Sequence, residues 1–243
     1  ISMSILELKN ISKSFGGVVV AKDLSFSLGR GDALGIIGPN GAGKTSLFNL
    51  ITGTVEPDHG SIFFESGNIE KLDVAARCRK GIARSFQIPQ PFSGMTVLEN
   101  TLVSVTQGGN ASLRNGQRYC IDILDLTGLL RKANTLAGEL TLLERKRLEL
   151  AKALATKPDI LLLDEIAGGL TEQECQVLIK VIQSIMKEDI SIIWIEHVVH
   201  ALLSVVQRLL VLDFGVKVAE GNPVEIMKSK TVQEIYLGID ADG

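Results

Sequence analysis

The sequence lacks any run of about 20 apolar residues, the length that a helix needs to cross the hydrocarbon core of a membrane. Its longest apolar runs, such as Ile160–Leu163, end after four or five residues at a charged or polar group. The three cysteines lie far apart and outside any Cys-x-x-Cys pattern, which argues against a zinc site. A basic arm or stripe is also missing and the net charge is −3, so no nucleic acid is expected as a partner.

What the chain does have is the composition of an ordinary globular protein. Hydrophobic residues make up 45% of its 243 residues and charged residues 22%. This length allows one large domain with a substantial buried core. The mean hydropathy of +0.25 is high for a chain without a membrane span. We therefore expect either a sheet buried on both faces or an apolar surface that docks onto another molecule.

The order of apolar patterns predicts an α/β fold. Alternating residues at Ile5–Leu8 and Leu24–Leu28 predict antiparallel strands with one solvated face. Unbroken apolar runs predict four buried strands, at Ala33–Ile37, Ile160–Leu163, Ile190–Ile195 and Leu209–Leu212. Because helical patterns separate these runs, we expect a parallel sheet. A long, mostly helical stretch interrupts this core, and a Gly/Asn/Ser-rich surface loop is expected within it at Gln107–Gly116.

The clearest motif joins the first buried strand to a helix. It reads Gly38-Pro39-Asn40-Gly41-Ala42-Gly43-Lys44-Thr45 and matches the pattern G-x-x-x-x-G-K-[ST] in full. Glycines let backbone N–H groups surround phosphates, and the following helix directs its positive dipole end at the same anion. Lys44 is expected to reach the outer phosphates and the Thr45 hydroxyl to bind Mg²⁺. The alternative, a chance glycine turn, does not explain the strand before it and the helix after it.

Two carboxylates follow a second buried strand. Asp164 and Glu165 come directly after Ile160–Leu163. A carboxylate at the carboxyl end of a buried parallel strand is expected beside the phosphate loop, where Asp164 would hold Mg²⁺ through water. Glu165 would orient or deprotonate an attacking water. The alternative is a solvated acidic pair that ends the strand.

Three further side chains are candidates for the same site. His197 follows the strand Ile190–Ile195 and would contact the γ-phosphate and the water; the alternative is a histidine without a role. Gln87 is placed at the entry to the helical stretch, where it would contact the γ-phosphate or Mg²⁺. Phe15, upstream of the phosphate loop, would stack on adenine, and the alternative is a core aromatic.

In their order and spacing these residues resemble the motifs of the ATP-binding cassette (ABC) ATPases. The resemblance extends from Leu6 to about Gly238. It implies a P-loop NTPase core with a mixed sheet, an antiparallel β subdomain and an inserted α-helical subdomain. It implies one domain over residues 3–238, in which residues 3–87 and 158–238 form the ATP-binding core and about 88–157 form the helical subdomain.

The resemblance also implies ATP and Mg²⁺ as cofactors and ATP hydrolysis as the activity. Glu165 and His197 would be the catalytic residues, and Mg²⁺ would be held by Thr45, Gln87 and Asp164. The ATP-binding residues would be Phe15, Gly38, Pro39, Asn40, Gly41, Ala42, Gly43, Lys44, Thr45, Ser46 and Gln87.

One motif of the family is altered. In ABC ATPases two cassettes sandwich two ATP molecules, and a signature Leu-Ser-Gly-Gly-Gln at a helix start contacts the ATP held by the other cassette. Here the corresponding segment reads Leu140-Thr141-Leu142-Leu143-Glu144. Thr141 retains a hydroxyl, but leucines replace both glycines. The resemblance therefore predicts an altered contact with the partner's ATP, while Lys44 and its own ATP site are unaffected.

Four segments are similar to the ATPases of branched-chain amino acid importers: Gly81–Gln87, Phe92–Asn100, Ala219–Pro223 and Glu234–Gly238. Urea and lipopolysaccharide exporter ATPases share parts of them. The implied partners are a second ABC ATPase subunit, identical or different, integral membrane permease subunits and, indirectly, a periplasmic binding protein. The implied location is peripheral, at the cytoplasmic face of a bacterial inner membrane.

Two alternatives remain open at this level. The Pro/Phe-rich segment Gln87–Val97 would form the groove that buries a permease helix, or it would be part of the core of the helical subdomain. In place of a transport ATPase, the altered signature is compatible with a nucleotide-binding regulatory cassette of low turnover.

Overall fold

Ten strands form two sheets within residues 4–108 and 113–237, which are the residues that the computed structural model describes. The strands are β1 (Ser4–Phe15), β2 (Val18–Gly29), β3 (Ala33–Ile37), β4 (His59–Phe64), β5 (Gly67–Asn68), β6 (Ile82–Ser85), β7 (Ile160–Asp164), β8 (Ser191–Ile195), β9 (Arg208–Asp213) and β10 (Val216–Gly221). The helices are α1 (Lys44–Thr52), α2 (Val74–Lys80), α3 (Val97–Gln107), α4 (Leu113–Leu126), α5 (Leu142–Leu154), α6 (Glu172–Met186), α7 (Val199–Leu203), α8 (Pro223–Lys228) and α9 (Lys230–Leu237).

The larger sheet is mixed and has six strands in the order β10-β9-β3-β8-β7-β6. All its pairs are parallel except β9 with β10, which form a hairpin. Successive residues of its central strands enter two different cores: Leu34 and Ile36 pack with α1, and Ala33 and Ile37 pack on the side of α5 to α7. Because both faces are covered, β3, β7 and β8 are buried throughout. This confirms the buried sheet inferred from the mean hydropathy.

The smaller sheet is antiparallel, with the order β2-β1-β4-β5. It packs on the same side of the large sheet as α1, since Ile5, Leu8 and Phe26 share a core with Phe48 of α1. Strands β1 and β2 are antiparallel, which confirms the pairing predicted from the alternating residues. Both strands are longer than the alternating segments.

Helices α3, α4 and α5 occupy the stretch between β6 and β7, as the sequence pattern predicts. The loop predicted at Gln107–Gly116 is shorter than expected, because α3 includes Gln107 and α4 already begins at Leu113. Residues 109–112 of that prediction lie outside the described residues. Gly116 is a helical residue: a Cβ there would lie 3.0 Å from Val105 Cγ1, so glycine lets α4 approach α3 closely.

Within the described ranges, no helix combines the length and the hydropathy that crossing a membrane requires.

Candidate active site

Strand order brings the predicted site residues to one edge of the large sheet. Strand β8 lies between β3 and β7, and Ile195 at its end is paired with both Ile36 and Asp164. The segments that follow these three strands are therefore neighbours. They are the phosphate loop after β3, Glu165 after β7 and His197 after β8.

The phosphate loop ends in a helix whose first turn is open towards the loop. Gly43 precedes α1 with φ +97°, and no side chain among the described residues caps the helix there. A Cβ at Gly43 would lie 2.2 Å from the Val20 carbonyl oxygen, so only glycine fits. The N–H groups of an uncapped helix start favour an anion, which is the chemistry that a phosphate requires.

Lys44 lies folded against its own loop. Its ammonium group donates hydrogen bonds to the carbonyl oxygens of Gly38 at 2.7 Å and Pro39 at 2.9 Å. Burial lowers the pKa of Lys44, and the negative charges of Glu165 and Asp164 oppose that shift. The loop thus has a cation of its own, on which two carboxylates act, as a site for phosphates and a metal ion needs.

The three residues predicted to hold Mg²⁺ line a single cavity. Thr45, Gln87 and Asp164 contribute to the walls of a 510 Å³ cavity at this edge. Hydroxyl, amide and carboxylate oxygens are the hard ligands that Mg²⁺ prefers, so this donor set fits the ion. When bound, Mg²⁺ would neutralise the charge of phosphate oxygens.

Asp164 already has a cationic partner that the sequence did not reveal. Arg84 of β6 donates from Nη2 to Asp164 Oδ2 at 2.6 Å and from Nη1 to Asn49 Oδ1 at 2.7 Å, and both members of the ion pair are largely buried. Arg84 Nε is buried without a hydrogen-bond acceptor among the described residues. The sequence held one sign of this contact, an arginine inside an otherwise apolar strand. The pairing of β6 with β7 brings this arginine beside Asp164.

Glu165 joins the two other predicted site residues. Its Oε2 accepts a hydrogen bond from Gln87 Nε2 at 2.6 Å, and its Oε1 lies 2.9 Å from His197 Nε2. Its backbone has φ +47°, an uncommon left-handed conformation for a non-glycine residue. A carboxylate held between an amide and an imidazole has the chemistry of a general base.

Two more charged residues adjoin this cluster and were not assigned a role from the sequence. Lys146 of α5 is buried, and its ammonium lies 3.5 Å from the Gln87 carbonyl oxygen. Burial lowers the pKa of Lys146, and the charges of Glu196 and Glu165 oppose that shift. Glu196 directly follows β8, just as Asp164 ends β7. The reasoning that singled out Asp164, a carboxylate at the end of a buried strand, could therefore have found Glu196 as well.

Phe15 is not a core aromatic. It ends β1 with 50% of its surface exposed, and the Lys13 ammonium lies 5.4 Å from the centre of its ring. An exposed ring remains available for stacking, whereas the alternative prediction of a buried aromatic is wrong.

The altered signature forms a helix start that is capped internally. The Thr141 hydroxyl accepts from the Glu144 N–H, and the Glu144 carboxylate accepts from the Thr141 N–H. That N–H contributes most to holding the pKa of Glu144 below its ordinary value. Leu140 is buried, and Leu142 lies beside Glu165 and Lys146 in the wall of a 280 Å³ cavity. The first turn of α5 therefore carries a carboxylate of its own.

Comparisons with known proteins agree with this architecture. The family model described as ABC transporter matches residues 21–168. Two solved structures of ATP-binding cassettes from ABC transporters superpose closely. A nucleotide-free cassette has a TM-score of 0.89 at 31% identity, and a cassette in its ADP conformation has 0.90 at 32%, each covering 98% of this chain and 100% of the other.

The chain thus belongs to the ABC transporter family and is an ATP-binding cassette ATPase. It is 33% identical to the high-affinity branched-chain amino acid transport ATP-binding protein LivG of Salmonella typhimurium and 32% identical to BraF of Pseudomonas aeruginosa, with 98% of this chain and 99% of each relative covered. It is 29% identical, over the same shares, to the lipopolysaccharide export system ATP-binding protein LptB of Escherichia coli. The resemblance and the fold class predicted from the sequence are confirmed.

Proposed function

We propose that this chain is the ATP-hydrolysing subunit that powers import of branched-chain or related amino acids through a membrane ABC transporter. The observation that carries the hydrolytic part is Glu165, held by Gln87 and His197 at the sheet edge beside the phosphate loop. The similarity to LivG and BraF supports the choice of solute.

In the proposed reaction the residues serve three purposes: nucleotide binding, metal binding and activation of water. The loop from Gly38 to Ser46 binds the phosphates, Lys44 supplies the positive charge, and Phe15 stacks on the base. Thr45, Gln87 and Asp164 would hold Mg²⁺, which would neutralise charge on the phosphate oxygens. Glu165 accepts a proton from the attacking water as the water oxygen bonds to the γ-phosphorus and the bond to ADP breaks. His197, within hydrogen-bonding distance of Glu165 Oε1, orients that carboxylate and the γ-phosphate.

The proposed partner surface lies beside the same residues. Phe86 and Ile88 are 57% and 70% exposed, and Phe92 is exposed as well. Phe86 lines both the 510 Å³ cavity and an adjoining one of 260 Å³ between α2 and α5. Three large exposed apolar side chains in one segment favour burial against a partner over a role in the subdomain core. We propose that a permease helix occupies this groove.

The remaining assignments follow from this proposal. The chain would work in a dimer with a second ABC ATPase subunit, docked on permease subunits at the cytoplasmic face of a bacterial inner membrane, with a periplasmic binding protein delivering the solute. Residues 3–87 and 158–238 would act as the ATP-binding core and about 88–157 as the helical unit that moves with the permease.

The test is ATP hydrolysis by the complex with its permease subunits. Glu165→Gln removes the base and keeps the side-chain shape, so we expect turnover to fall by at least about 100-fold while ATP binding persists. Glu172→Gln, on the exposed start of α6, is the matched control and should hydrolyse normally. Unchanged hydrolysis in Glu165→Gln would reject the catalytic assignment.

The same complex, reconstituted in vesicles with its binding protein, tests the solute. We expect leucine, isoleucine or valine to stimulate hydrolysis and to accumulate inside. Stimulation by urea or another amino acid alone would reassign the importer. Activity only with a lipopolysaccharide substrate would favour the function carried in the name of the LptB relative.

A second candidate is a nucleotide-binding regulatory cassette with low turnover. The internally capped start of α5, with Leu142 and Leu143 in place of glycines, favours it. Under this alternative the complex binds ATP but hydrolyses it slowly, and Leu142→Gly with Leu143→Gly raises the rate. A fast wild-type rate that this double variant leaves unchanged would exclude it.

A further inference from the structure

Glu196 is a buried carboxylate that uses both of its oxygens on backbone N–H groups. Only 1% of its surface is exposed. Its Oε2 accepts from the Ala167 N–H at 2.9 Å, and its Oε1 accepts from the His197 N–H at 2.9 Å and the Val198 N–H at 3.4 Å. The side chain therefore joins the segment after β7 to the segment after β8.

Both segments carry a residue of the proposed hydrolytic site. Ala167 lies two residues after Glu165, and His197 directly follows Glu196. The backbones are already linked once, because the Glu165 N–H donates to the Ile195 carbonyl oxygen at 2.8 Å. Glu196 adds the second link, beyond the point at which the two strands end. The same two segments carry the 2.9 Å contact of Glu165 Oε1 with His197 Nε2.

The charge of Glu196 is balanced from the helical subdomain. Among the charges that act on Lys146 of α5, that of Glu196 is the largest, and the Lys146 ammonium also lies 3.5 Å from the Gln87 carbonyl oxygen. A buried carboxylate without a cationic neighbour would be costly, and here both oxygens also accept backbone N–H groups. An ionised carboxylate only accepts hydrogen bonds, and each of its two oxygens faces a different loop.

We propose that Glu196 is a positioning residue that fixes the distance between Glu165 and His197 by holding one loop with each carboxylate oxygen. The inference rests on the proposed ATPase role of Glu165. A glutamine at this position has a single acceptor oxygen, and its NH₂ group would face a backbone N–H. One loop would then be released although the side chain keeps its size.

The kinetic test compares Glu196→Gln and Glu196→Asp in the assembled transporter. We expect Glu196→Gln to lower kcat by at least about tenfold, with KM for ATP within about threefold of wild type. The loss should be smaller than the roughly 10²–10⁴-fold that a positioned acid or base contributes, because Glu196 acts through other residues. Glu196→Asp keeps two acceptor oxygens and should recover part of kcat. Glu70→Gln is the matched control, since Glu70 also joins a backbone N–H, that of Ile62, to a neighbouring side chain, far from this edge.

A second test does not depend on hydrolysis. The chain has three histidines, so ring nitrogen signals in an NMR spectrum of the full chain are few, and His197→Asn assigns one of them. We expect Glu196→Gln to shift the His197 Nε2 signal and to leave those of His59 and His200 in place. Trp194, the single tryptophan, is fully buried two residues away, and its unchanged emission shows that the core is intact.

Each outcome decides the matter. A reduced kcat together with a shifted His197 signal supports the inference, in Glu196→Gln or, if that variant does not fold, in Glu196→Asp. An unchanged kcat or an unchanged His197 signal in a folded variant overturns it. A loss of kcat that is matched by a change in Trp194 emission also overturns it, because damage to the core then explains the loss. A wild-type complex that binds but does not hydrolyse ATP would count against the proposed function, while the His197 signal would still test the positioning.

Discussion

At the scale of single residues, the most consequential contact that the sequence concealed is the Arg84–Asp164 ion pair. The guanidinium carbon of Arg84 lies 5.5 Å from the centre of the Phe48 ring and 5.4 Å from that of Phe86, and its Nη2 approaches Asp164 Oδ2 to 2.6 Å. Removing one member of a buried pair leaves the other charge without compensation, which costs more than the pair itself contributes. Stability and the proposed metal site thus share one carboxylate.

We expect Arg84→Met to lower the free energy of unfolding by about 3 kcal/mol, because Asp164 then stays buried without its cation. Asp164→Asn in the same chain should restore part of the loss. Urea denaturation measures both. The control is Arg30→Met, which removes an exposed arginine paired with Glu65 and Asp159 and should cost less than about 1 kcal/mol. Equal losses in Arg84→Met and Arg30→Met would contradict the argument.

Residues at strand ends were predictable, and residues that act across strands were not. Asp164, Glu165 and His197 follow unbroken apolar runs, and parallel strands bring such ends together whatever the register. Arg84 reaches Asp164 only through the pairing of β6 with β7, and Lys146 reaches the cluster from α5. Both depend on tertiary contacts that periodicity does not encode.

At the scale of elements, three helices begin with the same reciprocal cap. A threonine hydroxyl accepts from the N–H three residues on, and a glutamate there accepts from the threonine N–H, at the starts of α3, α5 and α6. The pairs are Thr96 with Glu99, Thr141 with Glu144, and Thr171 with Glu174. In α6 the capping residue Thr171 ends the loop and starts the helix.

We expect Thr171→Ala to reduce the free energy of unfolding by about 1 kcal/mol, since the cap then leaves helix N–H groups without an acceptor. Thr171→Ser retains the hydroxyl and should lose much less. Equilibrium unfolding in urea distinguishes the two. If both variants lose the same amount, the missing methyl group and not the missing cap is responsible.

The same caps make the folding stability depend on pH in the acid range. The backbone N–H and hydroxyl of Thr171 hold the pKa of Glu174 below its ordinary value of 4.5. The stabilisation is therefore complete above pH 4.5 and is lost as the pH falls below it. We expect wild type to exceed Glu174→Gln in urea midpoint at neutral pH and the gap to narrow in acid. If the difference in urea midpoint widened in acid, the cap would not be the source of the stabilisation by Glu174.

Element boundaries show the limit of sequence patterns. The strand from Ala33 to Ile37 is observed at its predicted bounds, because a buried parallel strand is an unbroken apolar run with polar ends. The predicted loop from Gln107 to Gly116 was too long, since glycine there serves close packing of α4 on α3 and not a turn. Composition alone does not separate these two uses of glycine.

At the scale of the whole molecule, the exposed apolar segment after β6, Gln87–Val97, is the surface that we propose is covered by a partner. The segment is fixed to α5, because Glu149 accepts from the Gln90 N–H and Lys152 donates to the Gln90 carbonyl oxygen. A groove held in this way would transmit movement of a docked helix to Gln87, three residues before that anchor.

We expect Ile88→Glu to abolish assembly with the permease subunits, because it places a charge in the apolar contact, and to leave ATP binding by the chain within about twofold. Co-purification with the permeases measures the first and nucleotide binding the second. Val224→Glu is the control, since Val224 is similarly exposed on α8. Equal loss of assembly in both variants would show that added charge, and not the groove, is the cause.

The left-handed backbone of Glu165 has a consequence for how this chain evolves. A non-glycine residue at φ +47° costs of order 1 kcal/mol relative to glycine, so selection for a durable fold alone would replace this glutamate. Under the proposed function, a glutamate at this position gives up some folding stability for chemistry. Among variants selected only for thermal resistance, replacement of Glu165 by glycine should therefore be enriched, and those variants should have lost turnover.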